Sequence, residues 1–118
     1  MIVRLAVAAA LLSITVGCAD GVGAQAAPPV SRRIVSLVPA LTEMLFAIGA
    51  GAQVIAVSSY DDDPPAVRRL PRVGALLDPD VERILSLRPD LVVTYGSQSD
   101  LQAQLTRAAI PFYTYRHG

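Results

Sequence analysis

Three features of the sequence predict an α/β fold with a parallel sheet covered by helices on both faces. Short apolar, β-branched runs recur along the chain. Segments with helical spacing of apolar residues lie between them, and prolines and glycines stand at the joints. The order reads β-α-β-turn-α-β-α-β, and such alternation argues for crossover connections and parallel strands.

Order is expected from "RRIVSLV", an apolar, β-branched run bounded by Pro39, as in a strand buried on both faces. In "ALTEMLFAIGAG", Leu41, Leu45 and Ile48 share one helical face, and Gly49 and Gly51 are placed to end the helix. "QVIAVS" follows as a second strand, "PPAVRRLP" allows a short helical turn, and "RVG" is a brief extended piece. Asp78 is a candidate cap for the next helix with Pro79 at its first position, and Val81, Ile84 and Leu85 line one face of "DVERILSL" up to Pro89. "DLVVTY" reads as a strand. Ser97 or Ser99 is placed to cap "DLQAQLTRAA", in which Leu101, Leu105 and Ala109 share a face; Pro111 stops it, and "FYTYR" is the last strand. In sheets of this kind ligands bind outside the carboxyl ends of the strands, which here carry Val38–Pro39, Ser58–Tyr60, Tyr95–Gly96 and Arg116–His117.

The start of the chain reads as an export signal. "MIVRLAVAAALLSITVG" has an arginine and then an apolar run from Leu5 to Val16, shorter than the roughly 20 residues of a membrane span and suited to a signal-peptide core. Two exits fit. "AQA" at Ala24–Ala26 is a cleavage site that makes 1–26 a signal peptide, and "TVGC" is a lipobox that makes 1–17 a lipoprotein signal with Cys18 lipidated and 18–31 a linker. Either exit leads out of the cytoplasm, and Cys18, the one cysteine, lies outside the folded domain.

Composition narrows the function. The chain has 118 residues, enough for one small domain, and a formal net charge of zero, so no polyelectrolyte partner such as nucleic acid is implied. Every basic residue is arginine, so chemistry that needs a lysine amine is excluded. No nucleophile elbow, His–carboxylate spacing or metal-ligand cluster is present, so no catalytic residue is assigned.

The ordered set "RIVSLVPALTEMLFAIGAG", "VIAVSSYDDDPP", "LPRVG" and "DVERILSLRPDLVV" resembles the substrate-binding proteins of vitamin B12 and iron-chelate (siderophore, haem) ABC importers, most of all the cobalamin-binding members. The resemblance runs from about residue 32 to 116. It implies a Rossmann-like lobe, residues 32–118, as the amino-terminal half of a two-lobe protein joined by a rigid helix, with the second lobe absent. It implies a non-enzymatic role: capture of cobalamin, another corrinoid, haem or a ferric siderophore outside the inner membrane, and delivery to the permease subunits with their cytoplasmic ATPase. No cofactor is implied, and membrane contact is only through a lipid anchor.

The resemblance also picks out residues. Tyr60 falls on an aromatic that packs against the corrin in cobalamin-binding members, and a flat, largely apolar macrocycle gains from rigid aromatic surface. Tyr95 falls on another aromatic, and Leu76 falls where those members carry a tryptophan. Glu82 falls on a surface glutamate that docks onto permease arginines, a strong and directional pairing; the plainer reading is a solvated acid beside Arg83 and Arg88. Asp61, Asp62 and Asp63 are adjacent in extended chain, so their carboxylates diverge, and Asp before Pro-Pro reads as turn chemistry, with Asp62 placed to cap the turn. Glu43 reads as a dipole-favoured acid in the first helix's first turn. His117, the single histidine, takes no role. Two other readings of the alternation are a receiver-like domain, which needs acids after the first strand and a lysine, and an exported hydrolase fragment with Ser58 or Ser59 as nucleophile.

Overall fold

The computed structural model describes residues 30–116. The expected export signal, with Cys18, and His117 lie outside them. Strands β1 (Ile34–Ser36), β2 (Val54–Val57), β3 (Leu91–Tyr95) and β4 (Phe112–Tyr115) form one sheet in the order β2-β1-β3-β4. All three pairings are parallel. Helix α1 (Pro39–Ala47) connects β1 to β2, α2 (Val81–Ser86) precedes β3, and α3 (Ser99–Arg107) connects β3 to β4. None of the described helices is long and apolar enough to cross a membrane.

Alternation along β1 divides the core. Val35 and Leu37 join Ala56, Val73, Ile84, Val92, Leu101 and Leu105 on the face covered by α2 and α3. Ile34 and Val38 join Val93 on the other face, where Leu41 and Leu45 of α1 pack. The start of β1 is registered against β3 by Asp90, whose carboxylate accepts the Arg32 and Arg33 backbone N–H groups at 2.9 and 3.1 Å. The Arg33 guanidinium donates to the Leu87 and Arg88 carbonyls, closing the carboxyl end of α2. Residues 72–74 run along the free side of β2: Val57 N–H donates to the Pro71 carbonyl, and Val73 N–H to the Val57 carbonyl, each at 3.0 Å.

The helix ends differ from expectation, each for a local reason. α1 begins at Pro39 itself, so Glu43 lies beyond its first turn. The helix stops at Ala47. Ile48 is the C-cap and is 78% exposed rather than part of the inner face. Gly49, at φ +87°, makes the left-handed turn that ends the helix, whereas Gly51 starts a short 3-10 turn that continues into β2. Asp80, not Asp78, caps α2 by accepting the Arg83 N–H at 3.1 Å. Pro79 is held in an antiparallel bridge with Gly74, and Asp80 N–H donates to the Val73 carbonyl, so the helix cannot start earlier. The N-cap position of α3 is Gln98 rather than Ser97 or Ser99. Ala109, past the end of α3 at φ +56°, is exposed and not on its buried face. Pro64 takes the cap position of the Pro65–Arg69 turn that was expected for Asp62.

Leu105 is fully buried between α3 and the sheet, while Ile48 faces solvent. Leu105→Ala is expected to destabilise the fold by about 2–5 kcal/mol, and Ile48→Ala to stay within about 0.5 kcal/mol of wild type. Urea unfolding followed by circular dichroism checks both, and equal losses would contradict this division of the core.

Candidate functional site

In the strand order β2-β1-β3-β4 the chain leaves β1 in one direction and returns on the other side, so the order reverses between β1 and β3. The helices flanking that reversal lie on opposite faces and part at the carboxyl edge, leaving a crevice. A hollow of about 390 Å³ opens there, lined by Leu37 and Pro39 after β1, Ser58 and Tyr60 after β2, Tyr95 at the end of β3, and Ala75–Asp78. It brings Tyr60, Leu76 and Tyr95 together from three separate segments. A second hollow, about 440 Å³, continues past Tyr95 to Gly96, Ser97, Tyr115 and Arg116.

Each wall has a structural reason. Tyr95 packs edge-on against Tyr115, with ring centroids 6.1 Å apart at 73°. Burial, then the Asp61 charge, then Tyr115 raise the Tyr95 pKa above the ordinary tyrosine value of 10.0, so the hollow meets a neutral phenol at physiological pH. The Ala75–Asp78 wall is turned by Gly74, at φ +85°. A Cβ there would come within 2.3 Å of the Asp78 carbonyl oxygen, so only glycine fits.

Gln98 ties the walls together. Its Oε1 accepts the Tyr95 N–H at 2.9 Å, and its Nε2 donates to the Leu76 carbonyl at 3.2 Å and to the Ala75 carbonyl at 3.4 Å. One buried amide therefore fixes two pocket segments. Sequence reasoning did not find it, because a lone glutamine before a helix carries no pattern signal. Asp61 differs from its two neighbours. It is 1% exposed, and its Oδ2 accepts both the backbone N–H and the hydroxyl of Ser58, at 2.8 and 2.7 Å, while Asp62 and Asp63 are exposed. The three carboxylates do not converge. Ser58, a hydrolase candidate above, is buried with its hydroxyl committed to Asp61, and Ser59 is exposed.

Glu82 lies away from the hollow, exposed in the first turn of α2. Glu43 lines a separate open groove of about 680 Å³ with Phe46, Ala47, Asp63, Pro64, Pro65 and Ala66.

Residues 34–118 match the family described as periplasmic binding protein. The vitamin B12-binding protein of Pectobacterium atrosepticum is 40% identical over 88 residues, which is 73% of this chain and 32% of that protein. The chain thus spans about a third of the length of the curated relatives it matches. Among solved structures, the periplasmic vitamin B12-binding protein of Vibrio cholerae superposes with a TM-score of 0.67 at 35% identity, covering 73% of this chain and 34% of that one. The periplasmic haem-binding protein of Roseiflexus sp. RS-1 gives 0.66 at 36% identity, covering 72% and 34%. That of Pseudomonas aeruginosa gives 0.68 at 28%, covering 72% and 31%.

Gln98→Leu leaves the Tyr95 N–H without its acceptor and is expected to cost about 1–3 kcal/mol, measured by urea unfolding; a neutral change would remove Gln98 from the wall. The raised Tyr95 pKa stabilises the fold fully below the unfolded tyrosine pKa, and this contribution is lost as pH rises through the folded value. Tyr95→Phe is therefore expected to flatten the fall in stability above about pH 10 and to remove a phenol that titrates above the ordinary tyrosine value from the ultraviolet titration.

Proposed function

The chain belongs to the periplasmic binding protein family, and from that membership we propose that it forms the amino-terminal lobe of the solute-binding component of an ABC importer, taking a flat corrinoid or iron chelate outside the cytoplasmic membrane. The observation that carries this reading is the convergence of Tyr60, Leu76 and Tyr95 on one hollow at the reversal of the sheet. The family is one of binding proteins, not enzymes.

The geometry suits one half of a clamp. The hollow is shallow for a macrocycle, so the lobe offers one wall and the opposite wall comes from a second lobe. Tyr60 and Tyr95 present ring surface to an apolar face, and Leu76 and Leu77 extend it with aliphatic carbon. Similarity to vitamin B12-binding and haem-binding relatives supports ligands of this class. Cobalamin is the first candidate, with haem and ferric siderophores as its competitors. Export by the leader places the lobe where such ligands are captured, either freed after Ala26 or tethered through Cys18. On the outside of α2, Glu82 serves as the docking acid for permease arginines; its exposure leaves it free to register a transient complex.

Titration calorimetry of the complete protein with cyanocobalamin, haemin and a ferric siderophore is expected to show binding to one of them, weakened about tenfold in Tyr60→Ala. Absence of binding to all three defeats the reading. Glu82→Ala is expected to weaken association with the detergent-solubilised permease at low salt by at least about tenfold with ligand affinity unchanged. Unaltered association would return Glu82 to the solvated acids.

A further inference from the structure

Tyr60 stands out from the surface, 76% exposed, yet the turn beneath it is tied from both sides. A ring with so little packing takes its direction from its backbone, so whatever fixes the turn also aims the ring. The Ser58 carbonyl accepts the Asp61 N–H at 3.2 Å, closing the turn. The Asp61 carboxylate reaches back to the Ser58 N–H and hydroxyl through Oδ2. The Ser58 hydroxyl oxygen in turn accepts the Tyr60 N–H at 3.3 Å.

The second tie comes from Arg72. Its Nη1 donates to the Ser58 carbonyl at 2.9 Å and to the Asp61 carbonyl, the first and last carbonyls of the turn. Arg72 is held in place because its segment pairs with β2 and Ser59 N–H donates to the Gly74 carbonyl at 2.8 Å. A guanidinium whose single Nη1 is spent on two carbonyls carries no sequence-readable pattern. The other carboxylate oxygen of Asp61, Oδ1, is buried without a hydrogen-bond partner. Such burial is unfavourable, and both hydrogen bonds of the carboxylate run through Oδ2, so Asp61 acts through that oxygen.

We infer that Asp61 and Arg72 are positioning residues for the ligand hollow: together they lock the Ser58–Asp61 turn and hold the Tyr60 ring at its rim before ligand arrives. A ring already aimed loses less freedom on binding, and the affinity rises accordingly. The inference rests on the proposed reading of the hollow as a ligand site.

The test is a double-mutant cycle on the complete protein, with cyanocobalamin and haemin as probes. Arg72→Met and Asp61→Ala are each expected to weaken binding about tenfold. Asp61→Asn, which keeps an oxygen for Ser58, is expected to restore most of the affinity. In a Tyr60→Ala background Arg72→Met should cost nothing more, because it acts through the ring. A loss that adds in full to that of Tyr60→Ala, or no loss at all, overturns the inference. Amide exchange without ligand provides the independent arm: in Arg72→Met the Tyr60 and Asp61 amides should exchange at least about tenfold faster, with the thermal midpoint little changed. If neither probe binds the wild-type protein, the cycle is run with the ferric siderophore; absence of binding to all three defeats the ligand reading, and unchanged exchange in Arg72→Met then overturns the locked turn by itself. If Arg72→Met does not fold, Asp61→Ala and its rescue by Asp61→Asn carry the cycle with Tyr60→Ala and are read the same way.

Discussion

Every side chain from Ile34 to Val38 is buried, and this burial on both faces of one short strand is the constraint from which the architecture follows. A strand with no solvent face needs a helical layer above and below it and a neighbouring strand on each side. β1 obtains them from α1 on one face, α2 and α3 on the other, and β2 and β3 at its flanks. Since the chain must go to one side for β2 and then to the other for β3, the two helical layers part at the carboxyl end of β1. The hollow forms at that parting, with Leu37 and Pro39 as its floor. Its location is a consequence of packing β1, before any ligand-contacting residue is chosen.

The walls of the hollow depend on a different class of interaction. Arg72 and Gln98 bond to backbone groups, Asp61 to a backbone N–H and a hydroxyl, and Asp90 at the opposite end of the sheet to backbone N–H groups. Side chains that satisfy main-chain donors and acceptors fix loop shape directly, with little of the salt sensitivity of surface ion pairs. This matters for a site made of loops, where no ladder of strand bonds sets the geometry. The Tyr95 wall shows the combination: its N–H is held by Gln98 and its ring by Tyr115.

The layout of the sheet was legible in the sequence because it follows from periodicity: β-branched runs for the strands, and Leu41, Leu45, Leu101 and Leu105 for the inward helical faces. The placement of Tyr60, Leu76 and Tyr95 was legible through topology and resemblance together. What escaped were features set by tertiary contact. Asp78 and Pro79 satisfy every local rule for a helix start, but the bridge to Gly74 outcompetes them and moves the cap to Asp80. Asp61 was grouped with Asp62 and Asp63 because adjacency is visible in sequence, while burial of one acid among three is not. Gln98 reaches the Leu76 carbonyl and Arg72 the Ser58 carbonyl, each more than ten residues away, and a single sequence does not encode such partners in any spacing.

The lining of the hollow is mainly apolar. Leu37, Pro39, Ala75, Leu76 and Leu77 offer only carbon surface from their side chains, Tyr95 stays a neutral phenol, and Ser58 has its hydroxyl bound to Asp61. Asp78 is the charged residue in this lining. Meanwhile Tyr60 and Leu77, 76% and 93% exposed, hold apolar surface in water beside the same opening. A contiguous apolar rim around a concave site is unfavourable for a free domain and is the expected mark of a surface that becomes covered in use. The locked turn under Tyr60 sharpens that reading. A ring meant only to tolerate solvent needs no fixed direction, whereas a ring that must meet a flat face gains affinity from every degree of freedom removed beforehand.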